Sequence, residues 1–190
     1  MPEILREIAP VVTKDQIIVS IAVGLTIQSY LDVLGEDKKV VRAMPNTPAA
    51  VQAGMTAFSF GGSVTEEDQV KVLKLFSLAG GTSVLPERLM NAVSALTGSS
   101  PAYVYMFIEA MGDAGCYAGI PRQQAYELAA QAVLGSAKMV LESGKHPAQL
   151  KDEVCSPGGT TIRAVAQLEK DGMRSAVIEA IRSCVDAAGK

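Results

Sequence analysis

Histidine is almost missing from this chain: His146 is the only one in 190 residues. The three cysteines, Cys116, Cys155 and Cys184, lie far apart and form no C-x-x-C pair. These shortages leave a structural zinc site almost without ligands. They also argue against a serine–histidine–acid or cysteine–histidine centre, because His146 stands in a polar turn before Pro147. An odd, scattered set of thiols fits a reduced, cytoplasmic protein. No two glycines are separated by a single residue, so the G-x-G-x-x-G dinucleotide fingerprint is absent from these residues. No lysine follows Gly158-Gly159, which excludes a Walker-type nucleotide loop. Basic residues number 17 against 20 acidic ones and form no run, which argues against nucleic-acid binding. The most apolar helical stretch, residues 102–118, is interrupted by Glu109 and Asp113, which argues against a membrane span. The first eight residues mix acids with apolar groups and lack the basic region of a signal peptide.

What the chain does contain is material for a core, with 48% hydrophobic and 19% charged residues. The first half alternates apolar runs with turn signals. Residues 16–23 (QIIVSIAV), 39–44 (KVVRAM) and 54–60 (GMTAFSF) read as strands, with a short fourth at 82–85. The near-continuous β-branched runs suit a parallel sheet buried on both faces. Helical patterns fall at 26–34 and 65–78, where Thr65 followed by Asp68 resembles a helix-opening cap. From about Glu87 strand signals vanish. Helices are expected from 100 to 118, from Pro121 as a first helical residue to about 143, over 147–154, and after Gly159 and Gly172. Ala110, Ala114 and Ala118, with Ala125, Ala129 and Ala132, offer small faces for close helix approach. The expected class is therefore α/β followed by all-α, divided into residues 1–87 and 88–190.

Three segments could carry chemistry. In Ser156-Pro157-Gly158-Gly159-Thr160-Thr161, two glycines admit a close ligand, hydroxyls cluster, and a helix N-terminus faces the same spot. The segment is either a site for a small carboxylate or phosphate, or a well-capped helix start. Met44-Pro45-Asn46-Thr47-Pro48 stands at the C-terminal end of an expected parallel strand, the edge where open α/β sheets bind ligands, or else forms a rigid turn. Ala22-Val23-Gly24 lies along the same edge. Thr97-Gly98-Ser99-Ser100-Pro101 opens the long helix, with Ser99 or Ser100 as its cap.

Taken in order, five segments resemble pyrroline-5-carboxylate reductases. They are residues 42–48 (RAMPNTP), 94–103 (SALTGSSPAY), 119–122 (GIPR), 150–162 (LKDEVCSPGGTTI) and 172–178 (GMRSAVI). The Ser-Pro-Gly-Gly-Thr-Thr run is the family's signature. The resemblance implies a Rossmann-type parallel sheet, here partial, plus a C-terminal helical dimerisation and substrate-binding domain. It implies reduction of the C=N bond of 1-pyrroline-5-carboxylate to L-proline with hydride from NADPH or NADH. By resemblance, Ser156, Gly158, Gly159, Thr160 and Thr161 hold the substrate, with Thr161 the catalytic residue near the imine nitrogen. Ala22, Gly24, Met44, Pro45 and Asn46 flank the nicotinamide, and a homodimer or an assembly of dimers is expected. A protonated cyclic imine accepts hydride without a strong protein acid, so a site short of His, Lys and metal is chemically sufficient.

Two departures accompany the resemblance. Ser100 replaces the family's usual glycine. The family's first strand and glycine-rich loop are not among these residues, which implies an open edge at 16–23, an exposed apolar face around Ile4, Leu5 and Ile8, and weak NADPH binding by this chain alone. Turnover by the chain alone is left open. A second reading is a non-catalytic dimerisation or carboxylate-binding module of the same descent. A third, a hydroxy-acid reductase, is disfavoured because no lysine lies between Lys74 and Lys138.

Overall fold

The computed structural model describes residues 2–188, which cluster into two compact units. One comprises Met1–Pro101 with Ile181–Lys190, the other Ala102–Ala180. The expected division at 87/88 falls inside the first of these units, where strands give way to helices.

In the first unit, α1 (Pro2–Ile8), β1 (Ile17–Ser20), α2 (Ile27–Leu34), β2 (Lys39–Met44), β3 (Gly54–Phe60), α3 (Glu66–Phe76) and β4 (Gly80–Val84) follow in order. The strands form one sheet in the order β1-β2-β3-β4. β1 pairs with β2 in parallel through α2, and β3 with β4 in parallel through α3. β2 and β3 are antiparallel, so the expected parallel sheet is mostly parallel and holds one antiparallel pair. A parallel return needs a crossover of about a dozen residues. Residues 45–53 supply fewer, and part of that stretch is the 3₁₀ turn Thr47–Val51. β1 is also shorter than its apolar run, leaving Ala22 to Gly24 in the turn beyond it.

Each face of the sheet carries helices. On one, Val41, Ala43 and Phe58 pack with Val72 of α3. On the other, Val40 packs with Tyr30, Leu31 and Leu34 of α2, while Met44 and Ala57 pack with Met90 of α4 (Met90–Val93). Phe58 is fully buried, and removing its ring from water contributes roughly 2–3 kcal/mol. Leu5 and Ile8 pack onto the α2 cluster, so of the apolar face expected to lie open at α1 only Ile4 does so. Thr26 caps α2, accepting from the Ser29 amide at 3.1 Å. The Thr65–Asp68 capping box of α3 is fully formed.

The second unit holds most of α5 (Ser100–Tyr117), then α6 (Arg122–Ser143), α7 (Pro147–Val154), α8 (Thr160–Lys170) and the first half of α9 (Met173–Ala188). α5 ends in a Schellman motif: Gly119 at φ +93° donates to Cys116 O, and Ile120 donates to Gly115 O at 3.0 Å. Pro121 stands one residue before the helix it was expected to begin inside. The α5–α6 seam buries Ala125 and Ala129 as expected, but Ala110, Ala114 and Ala118 are exposed, and it is Gly115 of α5 that faces Ala125. A Cβ on Gly112 would strike the Tyr126 ring, and one on Gly115 would lie 3.0 Å from Ala125 Cβ.

Candidate active site

Because β1 and β2 run parallel, their C-terminal ends open on one edge of the sheet. Ala22 and Gly24 follow β1 there, Met44 ends β2, and Pro45 and Asn46 come next. The Ala22 amide donates to Ser20 Oγ at 3.2 Å, and Ser20 in turn bonds the Tyr30 hydroxyl. Gly24 has φ +86°, a conformation L-residues rarely adopt, and a Cβ there would meet nothing within 4 Å. Backbone and open space thus lie together at this edge, which fits the approach of a flat ring. Met44 is buried against Ala57 and Met90, while Pro45 and Asn46 are half-buried. Asn46 does not cap the 3₁₀ turn that follows it. Its Nδ2 donates to Thr97 O at 3.0 Å, and its Oδ1 accepts from the Met55 amide at 2.8 Å.

The signature segment lies in the second unit. The Gly159 amide donates to Ser156 O at 3.0 Å, closing a four-residue turn with Pro157 and Gly158 in the centre. Gly158 has φ +67°, so proline then positive φ gives the pattern of a type II turn. Gly159 is the N-cap of α8 and carries no side chain to occupy the first-turn amides. A Cβ on it would collide with Ser156 Oγ. Ser156 and Thr160 are exposed, and Thr161, the second residue of α8, is half-buried. The turn therefore presents hydroxyls beside a helix N-terminus that no side chain caps, a combination suited in charge to a small carboxylate.

The charges beside this turn are occupied with each other. Lys151 pairs with Asp152 at 2.7 Å, which raises its pKa, and Lys145 contacts Glu153 at 2.8 Å, which lowers that carboxyl's pKa. His146 caps α7, its Nδ1 accepting from the Ala148 amide at 3.1 Å. Among the described residues, no group of three or more His, Cys, Asp or Glu could hold a metal ion.

One expectation fails at the opening of α5. Neither Ser99 nor Ser100 is a cap, because the chain enters α5 from a π-helical turn, Ser94–Gly98. Ser99 N donates back to Ser94 O at 3.0 Å, and Ser99 Oγ lies 3.2 Å from Cys184 Sγ. Sequence reasoning also passed over a buried charge cluster beneath the edge. Arg42 lies 3.3 Å from Glu87 and 3.4 Å from Asn91 Oδ1, and its Nε is buried without a partner. A cation flanked by apolar residues, Arg42 between Val41 and Ala43, was the available signal.

Comparison with known proteins identifies the family. Residues 87–190 match the family described as "Pyrroline-5-carboxylate reductase dimerisation". The chain is 54% identical over all 190 residues to the pyrroline-5-carboxylate reductase of Escherichia coli K12, spanning 71% of that protein's length. It is 44% identical over 179 residues to the enzyme of Pisum sativum, covering 94% of this chain and 65% of that one. Among solved structures, the Coxiella burnetii pyrroline-5-carboxylate reductase superposes with a TM-score of 0.92 at 33% identity, covering 99% of this chain and 70% of that one. The Plasmodium falciparum enzyme, solved with NADP bound, superposes with a TM-score of 0.89 at 33% identity over 98% and 74%. On sequence and fold together, the chain belongs to the pyrroline-5-carboxylate reductase family.

Proposed function

We propose that the protein reduces 1-pyrroline-5-carboxylate to L-proline with NADPH as the preferred donor, and that the turn at Ser156–Gly159 with the start of α8 holds the substrate. As a family member it is an NAD(P)H-dependent oxidoreductase acting on a C=N bond, in proline biosynthesis. The observation that carries the substrate assignment is the uncapped α8 N-terminus, with Ser156, Thr160 and Thr161 placed around it. Those donors suit the substrate carboxylate. The Thr161 hydroxyl is assigned to the ring nitrogen, where it steadies the proton of the iminium as hydride arrives.

Ala22, Gly24, Met44, Pro45 and Asn46 are assigned to the nicotinamide end, where backbone and buried Met44 set the plane of approach. The bound cofactor supplies the hydride. NADPH is favoured over NADH by the NADP held in the Plasmodium relative. The residues supply alignment and an anchor rather than strong acid or base, which is enough for an already electrophilic iminium. A homodimer or an assembly of dimers is proposed from the dimerisation-family match and the open apolar helix faces. A cytoplasmic setting fits the three free thiols.

The deciding experiment follows NADPH oxidation dependent on L-pyrroline-5-carboxylate, with NADH in parallel. Substrate-dependent oxidation faster with NADPH is the expected result. Carboxylate binding without turnover in the protein expressed from its complete reading frame would replace this reading with a non-catalytic module.

A further inference from the structure

Arg42 and Met44 share one face of β2, and Asn46, two residues beyond the strand's end and still in extended backbone, continues the same spacing. They contact the helical stretch that follows β4: Arg42 reaches Glu87 and Asn91, Met44 packs on Met90, and Asn46 reaches Thr97. The last contact has a specific cause. In a helix the Thr97 carbonyl would accept from the amide four residues on, but that residue is Pro101, which has no N–H. The segment answers with the π-helical turn Ser94–Gly98, and Asn46 Nδ2 supplies a donor to the freed carbonyl at 3.0 Å. The other end of the same amide, Oδ1, accepts from the Met55 amide at the start of β3 at 2.8 Å.

We propose that Asn46 is a positioning residue whose side chain ties the nicotinamide loop to the π-helical turn and to β3, rather than a direct ligand of the cofactor. The inference rests on the reductase reading and deepens it. The loop after β2 has Pro45 and Pro48 to stiffen it but must also be held at a fixed height over the sheet edge. The Asn46 amide does so by engaging both its donor and acceptor ends within the protein. Hydride transfer is sensitive to such placement, because a displacement of about 1 Å can lower the rate on the order of a hundredfold.

The test uses Asn46→Asp in the protein expressed from its complete reading frame. The carboxylate keeps an acceptor for Met55 N but loses the donor to Thr97 O. The expected result is a kcat lowered about tenfold or more with the KM for NADPH changed less than about twofold, the pattern of lost alignment rather than lost binding. In the cofactor-free protein, amide exchange of residues 94–99 should quicken while the Met55 amide stays protected. Pro101→Ala, added to Asn46→Asp, restores an N–H to Thr97. It should recover protection of 94–99 without recovering kcat, since the loop stays untied. This double variant also carries the test if the single one folds poorly. A rise of about tenfold in the KM for NADPH, with kcat and exchange unchanged, would make Asn46 a cofactor ligand and overturn the proposal. Recovery of kcat in the double variant would overturn it too, by reducing Asn46 to support of the turn. If the unaltered protein oxidises no NADPH with substrate, the reductase reading fails, while the exchange data still decide whether Asn46 holds Thr97.

Discussion

Glu87 holds Arg42 at 3.3 Å and, with the same carboxylate oxygen, takes the Ile27 amide at the start of α2 at 2.7 Å. One acid, 45 residues from its cation, therefore joins β2 to the helix packed above it. The Arg42 side chain is only 5% exposed, so losing Glu87 strands a buried charge with the Asn91 carbonyl alone. Glu87→Ala should lower stability by about 2 kcal/mol, discounted from a fully buried pair because Glu87 itself is partly open to water. Arg42→Met, which removes the charge while keeping the bulk, should be milder. Urea unfolding of both variants checks the order, and a costlier Arg42→Met would show that the pair is not what holds α2.

Asp68 gives the fold a pH dependence of known sign. Lys39 Nζ at 2.8 Å, then the Thr65 hydroxyl at 2.7 Å, hold its carboxyl down to about 2 from an ordinary 3.8. The folded chain then binds fewer protons than the unfolded one as pH falls below 3.8. The contribution is complete above that value and fades as pH approaches 2. Stability measured from pH 5 downward should drop along this window, and Asp68→Asn should flatten the slope while lowering stability at neutral pH. An identical slope in the variant would remove Asp68 from the acid response.

Much of this was legible from local chemistry. β2 and β3 match the apolar runs at 39–44 and 54–60, α7 matches 147–154, and Thr65 with Asp68 announced its own capping box. These features depend on neighbours within a few residues. Less legible were the direction of β3, which the short loop at 45–53 decides, and the π-helical turn, whose Thr97 carbonyl takes a donor from distant Asn46. Glu87 was not foreseen because its partners, Ile27 and Arg42, lie 60 and 45 residues away. Within the candidate site, the signature turn was readable as proline then glycine before a helix. The engagement of Asn46 with Thr97 was not, since nothing local to either residue specifies the other.

Gly159 tests whether the signature turn is shaped for a ligand or merely starts a helix. A Cβ there would displace Ser156 Oγ, whereas one on Gly158 would point into open space. Gly159→Ala should therefore raise the KM for pyrroline-5-carboxylate about tenfold or more with little change in thermal stability, because a displaced hydroxyl loses its aim at the carboxylate. An unchanged KM would mean that the Ser156 hydroxyl does not touch substrate.

Thr161→Ala separates chemistry from binding at the same turn. Thr161 is the second residue of α8, where alanine sits as comfortably in the helix. Loss of a hydrogen bond made as the iminium takes hydride should remove about 1–3 kcal/mol of transition-state stabilisation, roughly a ten- to hundredfold fall in kcat. Thermal unfolding should stay within a degree or two of the parent. Turnover equal to the parent's would move the role to Ser156 or Thr160.

The helices of the second unit bury little of their own apolar surface. Its buried residues among those described are Gly112, Ala125 and Ala129, all small and all in the α5–α6 seam. Phe107, Met106, Leu134, Leu141 and Ile178 are exposed, Leu141 by 84%. Helices without a covered apolar face are marginal in water, because nucleation is unfavourable and packing supplies most of their stability. All of these residues fall inside the segment matching the dimerisation family. The protein should sediment as a dimer or a multiple of dimers at micromolar concentration, and its thermal midpoint should rise with protein concentration. Leu141→Glu should shift sedimentation toward the monomer and lower that midpoint. A well-folded monomer with a concentration-independent midpoint would mean that these faces are stable uncovered and that the assembly assigned to the chain is wrong.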